Sequence, residues 1–239
     1  MHFVYICRDG DNEELRYSIR SVLENVPDAT VTVIGGKPDW YCGHYIEVIQ
    51  NKSTYHNVMN SLHKAIESPE IPDDFIVMND DFFIMKPIDT IPIFYGGYLS
   101  DKVLLYEDLV PKSPYIRKMR MTHKRCTRYL VDPILDYDLH TPFPVNKQKL
   151  YEVIKDKDIS YLWRSFYGSY YKIGGQQIKD VKIYLKSPLL RKTHTYSEDD
   201  IFISTDDTSF INLQPLLAKK YKKRSALELT PGQIKKRLV

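Results

Sequence analysis

Two carboxylates stand side by side at the end of an apolar run, Phe75-Ile76-Val77-Met78-Asn79-Asp80-Asp81-Phe82-Phe83. Adjacent aspartates at a strand end repel one another unless a cation neutralises them. Hard oxygen ligands suit Mg2+ or Mn2+, which also bind a diphosphate. Asp80 and Asp81 are therefore candidate metal ligands; the plainer alternative is a pair that caps the next element. A second pair, Asp206-Asp207, follows the short apolar run 201–205 (IFIST), and Asp206 joins the candidate metal set. His140 lies in Asp138-Leu139-His140-Thr141-Pro142-Phe143-Pro144, where two prolines fix the loop and a neighbouring carboxylate can tune the imidazole as a general base. Arg164 stands among the rings of Tyr161-Leu162-Trp163-Arg164-Ser165-Phe166-Tyr167, as a stacked structural group or a fork for phosphate. His194, in Arg191-Lys192-Thr193-His194-Thr195, is a candidate metal ligand or phosphate contact. Gly35-Gly36 and Gly174-Gly175 match neither a P-loop nor a dinucleotide GxGxxG turn, and neither GxSxG nor HExxH occurs.

The elements that must carry these residues follow from periodicity. Residues 3–7 (FVYIC) read as a buried strand running into the turn Arg8-Asp9-Gly10-Asp11. A helix is predicted from about Asn12, with Glu13 and Glu14 in its first turn and Leu15, Ile19, Val22, Leu23 and Val26 on one face, ended by Pro27. Strands are predicted at 30–34, 46–49 and 74–78, with a helix over 55–67 between the last two. Alternating strands and amphipathic helices predict an α/β fold, a mostly parallel sheet with helices on both faces. Ligands bind beyond the carboxyl ends of such strands, where Arg8-Asp9 and Asp80-Asp81 fall. The second half is less regular: helices at 147–156 and near 212–221, aromatic-rich 161–171, and strands at 181–185 and 201–204.

Charge is distributed unevenly over the 239 residues, although the net value is only +3. Segment 112–128 holds seven Lys/Arg and no acid, and segment 219–239 holds eight with one Glu; the remainder, with 19 basic and 30 acidic residues, is at −11. Basic segments on an acidic body fit a polyanionic partner, and Arg117, Lys118, Lys124 and Arg125 are the candidate nucleic-acid or anion contacts. Segment 112–128, following Pro111 and including Pro114, is expected to be an exposed, mobile insert, and 219–239 a basic C-terminal segment. No Gly/Ser linker or repeat divides the chain, so one domain over 1–239 is expected. Three cysteines without CxxC spacing, no membrane span and no signal peptide predict a cytoplasmic protein.

The blocks from Glu14-Leu15-Arg16-Tyr17-Ser18-Ile19-Arg20-Ser21-Val22 through Val31-Thr32-Val33-Ile34 and Pro38-Asp39-Trp40 to Asn79-Asp80-Asp81-Phe82-Phe83 resemble the second conserved region of the Stealth family. That family includes bacterial capsule hexose-1-phosphotransferases and the lysosomal-enzyme GlcNAc-1-phosphotransferase. His140-Thr141-Pro142, Trp163-Arg164-Ser165, Thr205-Asp206-Asp207 and Ser225-Ala226-Leu227-Glu228 resemble its later motifs, in the family's order. The resemblance implies a GT-A-like transferase that uses a nucleotide-sugar donor, a UDP-sugar above all, with Mg2+ or Mn2+. Arg8, Asp9, Arg16, Arg20 and Asn79 would contact the donor, and Asp80, Asp81, Asp206 and His194 would hold the cation. His140 would be the base, and Arg164, with Asp81, would serve the transferred group. Transfer of a sugar and transfer of a sugar-1-phosphate both remain open, as do a saccharide acceptor and a hydroxylated base in nucleic acid.

Overall fold

The computed structural model describes residues 1–184 and 194–237. In chain order the elements are β1 (His2–Cys7), α1 (Glu13–Asn25), β2 (Thr30–Gly35), β3 (His44–Glu47), α2 (Thr54–Glu67), β4 (Asp74–Asn79), β5 (Phe82–Ile84) and β6 (Phe94–Tyr95). There follow α3 (Leu99–Leu109), α4 (Pro114–Arg128), β7 (Phe143–Asn146), α5 (Lys147–Ile154), α6 (Trp163–Tyr170), β8 (Gln176–Gln177), β9 (Phe202–Ser204), α7 (Asp207–Lys220) and α8 (Pro231–Arg237).

The central sheet runs β3-β2-β1-β4-β7; its first four strands are mutually parallel and β7 is antiparallel to β4. This is the mostly parallel α/β sheet expected. Strand alternation divides the core: Val4, Phe75 and Val77 pack with Leu62, Leu150 and Phe166 on one face, and Phe3, Tyr5 and Met78 pack with Leu15, Ile19 and Val22 on the other. Each such side chain, fully buried, contributes about 1.5–3 kcal/mol to stability. Helix α1 starts where a donor-accepting side chain allows: Asn12 Oδ1 accepts from Leu15 N at 3.0 Å, with Glu13 and Glu14 complementing the helix dipole.

Several boundaries move. The third strand lies at 44–47 rather than 46–49, because pairing with Thr32–Gly35 of β2 sets it. Among residues 181–184, the expected strand is only an isolated bridge of Lys182 to Ser204, and residue 185 lies outside the described residues. Segment 112–128, expected as an exposed, mobile insert, instead forms helix α4. Ser113 caps it by accepting from Tyr115 N, Pro114 opens it, and Ile116, Met119, Thr122 and Cys126 are buried. Lys118 donates to the Ile159 carbonyl, and Arg125 pairs with Asp156 at 2.8 Å while lying over the Tyr161 ring. Two of the four candidate anion contacts thus have partners inside the protein; Arg117 and Lys124 are exposed.

Candidate active site

Strand order reverses beside β1, with β2 on one side and β4 on the other, so the crevice between the ends of β1 and β4 is the switch point of the sheet. Arg8 follows β1 and Asp80 follows β4, and their side chains meet there, Arg8 Nε to Asp80 Oδ2 at 3.7 Å. Gly35 and Gly36 let the backbone after β2 close on this turn. A Cβ at Gly35, where φ is +113°, would come within 2.2 Å of the Cys7 carbonyl, and one at Gly36 within 2.4 Å of the Arg8 carbonyl. Their function is close approach, not phosphate cradling.

From this edge a cleft of about 1220 Å3 extends between the sheet and the α3–α4 pair. Asn79, Phe82, His140, Asp180, Lys182 and Tyr184 line one side, and Tyr55, Lys102, Tyr106 and Tyr115 also face it. His140 Nδ1 lies 2.6 Å from Asp180 Oδ2, and the other oxygen of Asp180 accepts the His140 backbone N–H at 3.0 Å. Burial pushes the Asp180 carboxyl up, but the His140 ring and amide outweigh it and hold it at about 2. As a carboxylate it only accepts, so Nδ1 carries a hydrogen, and in the neutral ring Nε2 is then the acceptor. Beneath the His140 loop, Arg164 Nη1 donates to the Leu139 and Thr141 carbonyls at 3.0 Å each. Arg164 is 5% exposed and lies over the rings of Phe82, Phe143 and Trp163. Its Nη1 is thus committed to the His140 loop, while the residue also lines the cleft.

The candidate metal set is not gathered. Asp206 is the N-cap of α7, accepting from Thr208 N at 3.1 Å and Ser209 N at 2.7 Å, with Ser209 closing the capping box. His194 lines the cleft, but its Nε2 bonds Asp200 at 2.8 Å. Asp81 Oδ2 accepts from Lys182 Nζ at 3.0 Å and Ser204 Oγ at 3.2 Å; its Oδ1 is buried without a partner. Asp80 Oδ2 accepts from Asn12 Nδ2, and burial, with Asp81 alongside, pushes its carboxyl up to about 6. Among the described residues no group of three or more His, Cys, Asp or Glu is placed to hold a metal ion. The predicted four-residue set therefore does not form as a metal site, and the cations beside the aspartate pair are Arg8 and Lys182.

The candidate donor contacts divide in the same way. Arg8 is at the site, where it also bonds Asp207 at 2.7 Å and Glu14 at 3.3 Å, and Asn79 lines the cleft. Burial pushes Glu14 up to about 7 against the bond it accepts from Thr205. Asp9 is exposed beside Arg8. Arg16 and Arg20 face away, onto Glu228: Arg20 Nε and Nη2 reach its two oxygens at 2.7 and 2.6 Å, and Arg16 Nη1 reaches it at 3.4 Å.

Sequence reasoning missed Asp180 and Lys182. A signal was present: an extended run at 181–184 presents alternate residues to one side, and 180, 182 and 184 line the cleft while Val181 and Ile183 are buried. It also missed the acid–lysine group opposite. There, Lys102 Nζ bonds Asp136 at 2.7 Å, and the Tyr115 hydroxyl donates to Asp138.

No family model matches this sequence, and no curated protein matches it significantly, so the Stealth resemblance is not shown beyond its motifs. Solved structures with a related course include a galactosyltransferase, LgtC, in complex with donor and acceptor sugar analogs (TM-score 0.46, 9% identity, covering 99% of this chain and 100% of that one). An active-site variant of LgtC aligns with TM-score 0.40 at 12% identity, over 95% of this chain and 85% of that one. The glycosyltransferase GlyE of Streptococcus pneumoniae TIGR4 aligns with TM-score 0.36 at 8% identity, over 74% of this chain and 44% of that one. At TM-scores this low the likenesses decide nothing about the chemistry. Among the described residues no helix is long and apolar enough to cross a membrane.

Proposed function

We propose that this protein is a nucleotide-sugar-dependent glycosyltransferase that moves a sugar onto an acceptor hydroxyl. The observation that carries the reading is the His140–Asp180 pair in a cleft that Lys182 also lines, at the switch-point edge of a parallel sheet where Arg8 meets Asp80. The acceptor hydroxyl donates to His140 Nε2, which takes its proton as the oxygen attacks; Asp180 holds the ring and stabilises the imidazolium that forms. The donor diphosphate lies at the cationic end, near Arg8 and Lys182, and the Lys102–Asp136 and Tyr115–Asp138 pairs supply hydrogen-bonding groups for sugar hydroxyls. Sugar transfer is the reading preferred; Arg164, which phosphotransfer would place on the phosphoryl group, commits Nη1 to two loop carbonyls but lines the cleft with its other N–H groups uncommitted, so the products decide.

The test is product analysis with a panel of nucleotide sugars, UDP-sugars first. Release of a nucleoside diphosphate is the expected result; release of the monophosphate would establish phosphotransfer instead. The acceptor is expected to be a saccharide. A nucleic-acid acceptor would need the exposed Arg117 and Lys124. Changing both to Gln is expected to leave turnover near wild type. A flattening of the log affinity against log salt slope on duplex DNA, by about 0.9 per lost phosphate contact, would return the nucleic-acid reading.

A further inference from the structure

Two aspartates at the diphosphate end of a transferase cleft suggest a divalent cation, and Mg2+ needs only one or two carboxylates when substrate phosphates complete its shell. What this chain places there is an ammonium. Lys182 Nζ is 3.0 Å from Asp81 Oδ2, its side chain is 14% exposed, and it lines the cleft two residues from Asp180. A cation bound to that oxygen would meet Lys182 at contact distance, with Arg8 close on the Asp80 side. The second oxygen of Asp81, Oδ1, is buried and without a partner, so Lys182 holds the one oxygen of that carboxylate that is engaged. An ammonium has three N–H donors. One is directed at Asp81, the Tyr184 ring lies 5.6 Å from the nitrogen, and among the described residues Asp81 is its one hydrogen-bond acceptor.

We propose that Lys182 takes the place of the divalent cation: its ammonium binds the donor diphosphate and stabilises the leaving oxygen, and transfer runs without metal. The inference rests on the glycosyltransferase reading above. In the step, the acceptor oxygen forms its bond to the anomeric carbon, and the bond from that carbon to the β-phosphate oxygen breaks. The electron pair leaves with the nucleoside diphosphate, and the acceptor proton goes to His140. Lys182 contributes charge and a hydrogen bond and gives up no proton; Asp81 holds it aimed.

The experiment titrates UDP, GDP, ADP and CDP calorimetrically into the full chain, in EDTA and again with millimolar Mn2+. One of them is expected to bind in EDTA, with an affinity that Mn2+ leaves unchanged. Lys182→Met should weaken that binding by about 10- to 100-fold, the range for a lost hydrogen bond to a charged group, and Mn2+ should not restore it. Lys182→Arg should retain most of the affinity. Because Lys182→Met strands a buried carboxylate, it is paired with Lys182→Met/Asp81→Asn, and thermal melts confirm that both fold. Binding that requires Mn2+, or a Lys182→Met/Asp81→Asn variant that binds as well as wild type, would overturn the metal-free inference and leave the transferase reading standing. No binding of any nucleoside diphosphate in either condition would overturn both.

Discussion

Replacing His140 by Gln is expected to lower turnover by about 10²–10⁴, the span for loss of a general base, with donor KM little changed. The asymmetry follows from position. The ring touches the attacking hydroxyl and not the diphosphate, so the loss appears in kcat. Asp180→Asn should lose turnover as well, because an amide in place of the carboxylate neither fixes the Nδ1–H tautomer nor stabilises the imidazolium. The measurement is nucleoside diphosphate release under saturating donor, with circular dichroism to confirm the fold. His140 is 30% exposed at its side chain and supports little core, so a folded, inactive variant is the expected pair of results. Undiminished turnover in His140→Gln would remove the base from this position and with it the proposed mechanism.

Glu228→Ala is expected to destabilise the protein by about 3–5 kcal/mol, the cost of removing one partner from a buried ion pair. The Glu228 side chain is fully buried, holds both Arg16 and Arg20, and accepts the Ser225 backbone N–H at 2.9 Å. Leu229 N in turn donates to the Trp40 carbonyl, and Cys42 N to the Leu227 carbonyl, so residues 225–229 are stitched to α1 and to the segment after β2. Arg16 lies over the Trp40 ring at 4.5 Å and keeps Glu13 at 2.7 Å, so the guanidinium left without its main carboxylate is that of Arg20. Urea denaturation of the variant should show the loss as a lower midpoint at unchanged slope. Nucleotide binding at temperatures where the variant is folded should be unaltered. A donor-binding role for Arg16 and Arg20 predicts the reverse, weakened binding with little change in stability.

What could be read in advance was whatever local pattern determines. The strands at 3–7, 30–34 and 74–78 and the helices at 12–26 and 55–67 stand because alternation and helical spacing are properties of a few consecutive residues. The Asp80-Asp81 pair was legible as a charge problem at a strand end; its answer was not, since Lys182 is 101 positions away. Arg16 and Arg20 looked available because Glu228 lies more than two hundred residues on, and Arg164 looked like a fork because nothing local says which carbonyls it meets. Helix α4 was mistaken for a loose insert because its buried face includes Thr122 and Cys126 beside Ile116 and Met119, too polar a stripe to register against seven charges. Helix α3 gives no such signal for the converse reason: of its four leucines Leu99 is buried but Leu104, Leu105 and Leu109 are exposed, so the apolar pattern does not mark its buried side.

The ties across the site have a consequence for how the protein is made. Arg8 waits for Asp207, 199 positions later, Asp81 for Lys182, and Arg20 for Glu228. Closing such long loops sacrifices chain entropy before any contact repays it, and non-local pairings of this kind slow folding. A nascent chain emerging at about 5–20 residues per second can lay β1 to β4 together early, since those pairings are near in sequence. Until the later residues are made, however, that early sheet presents Asp81 without Lys182, Arg8 without Asp207 and Arg20 without Glu228. The candidate cleft thus matures after the central sheet that carries it, and a half-made chain holds these charged groups without their partners.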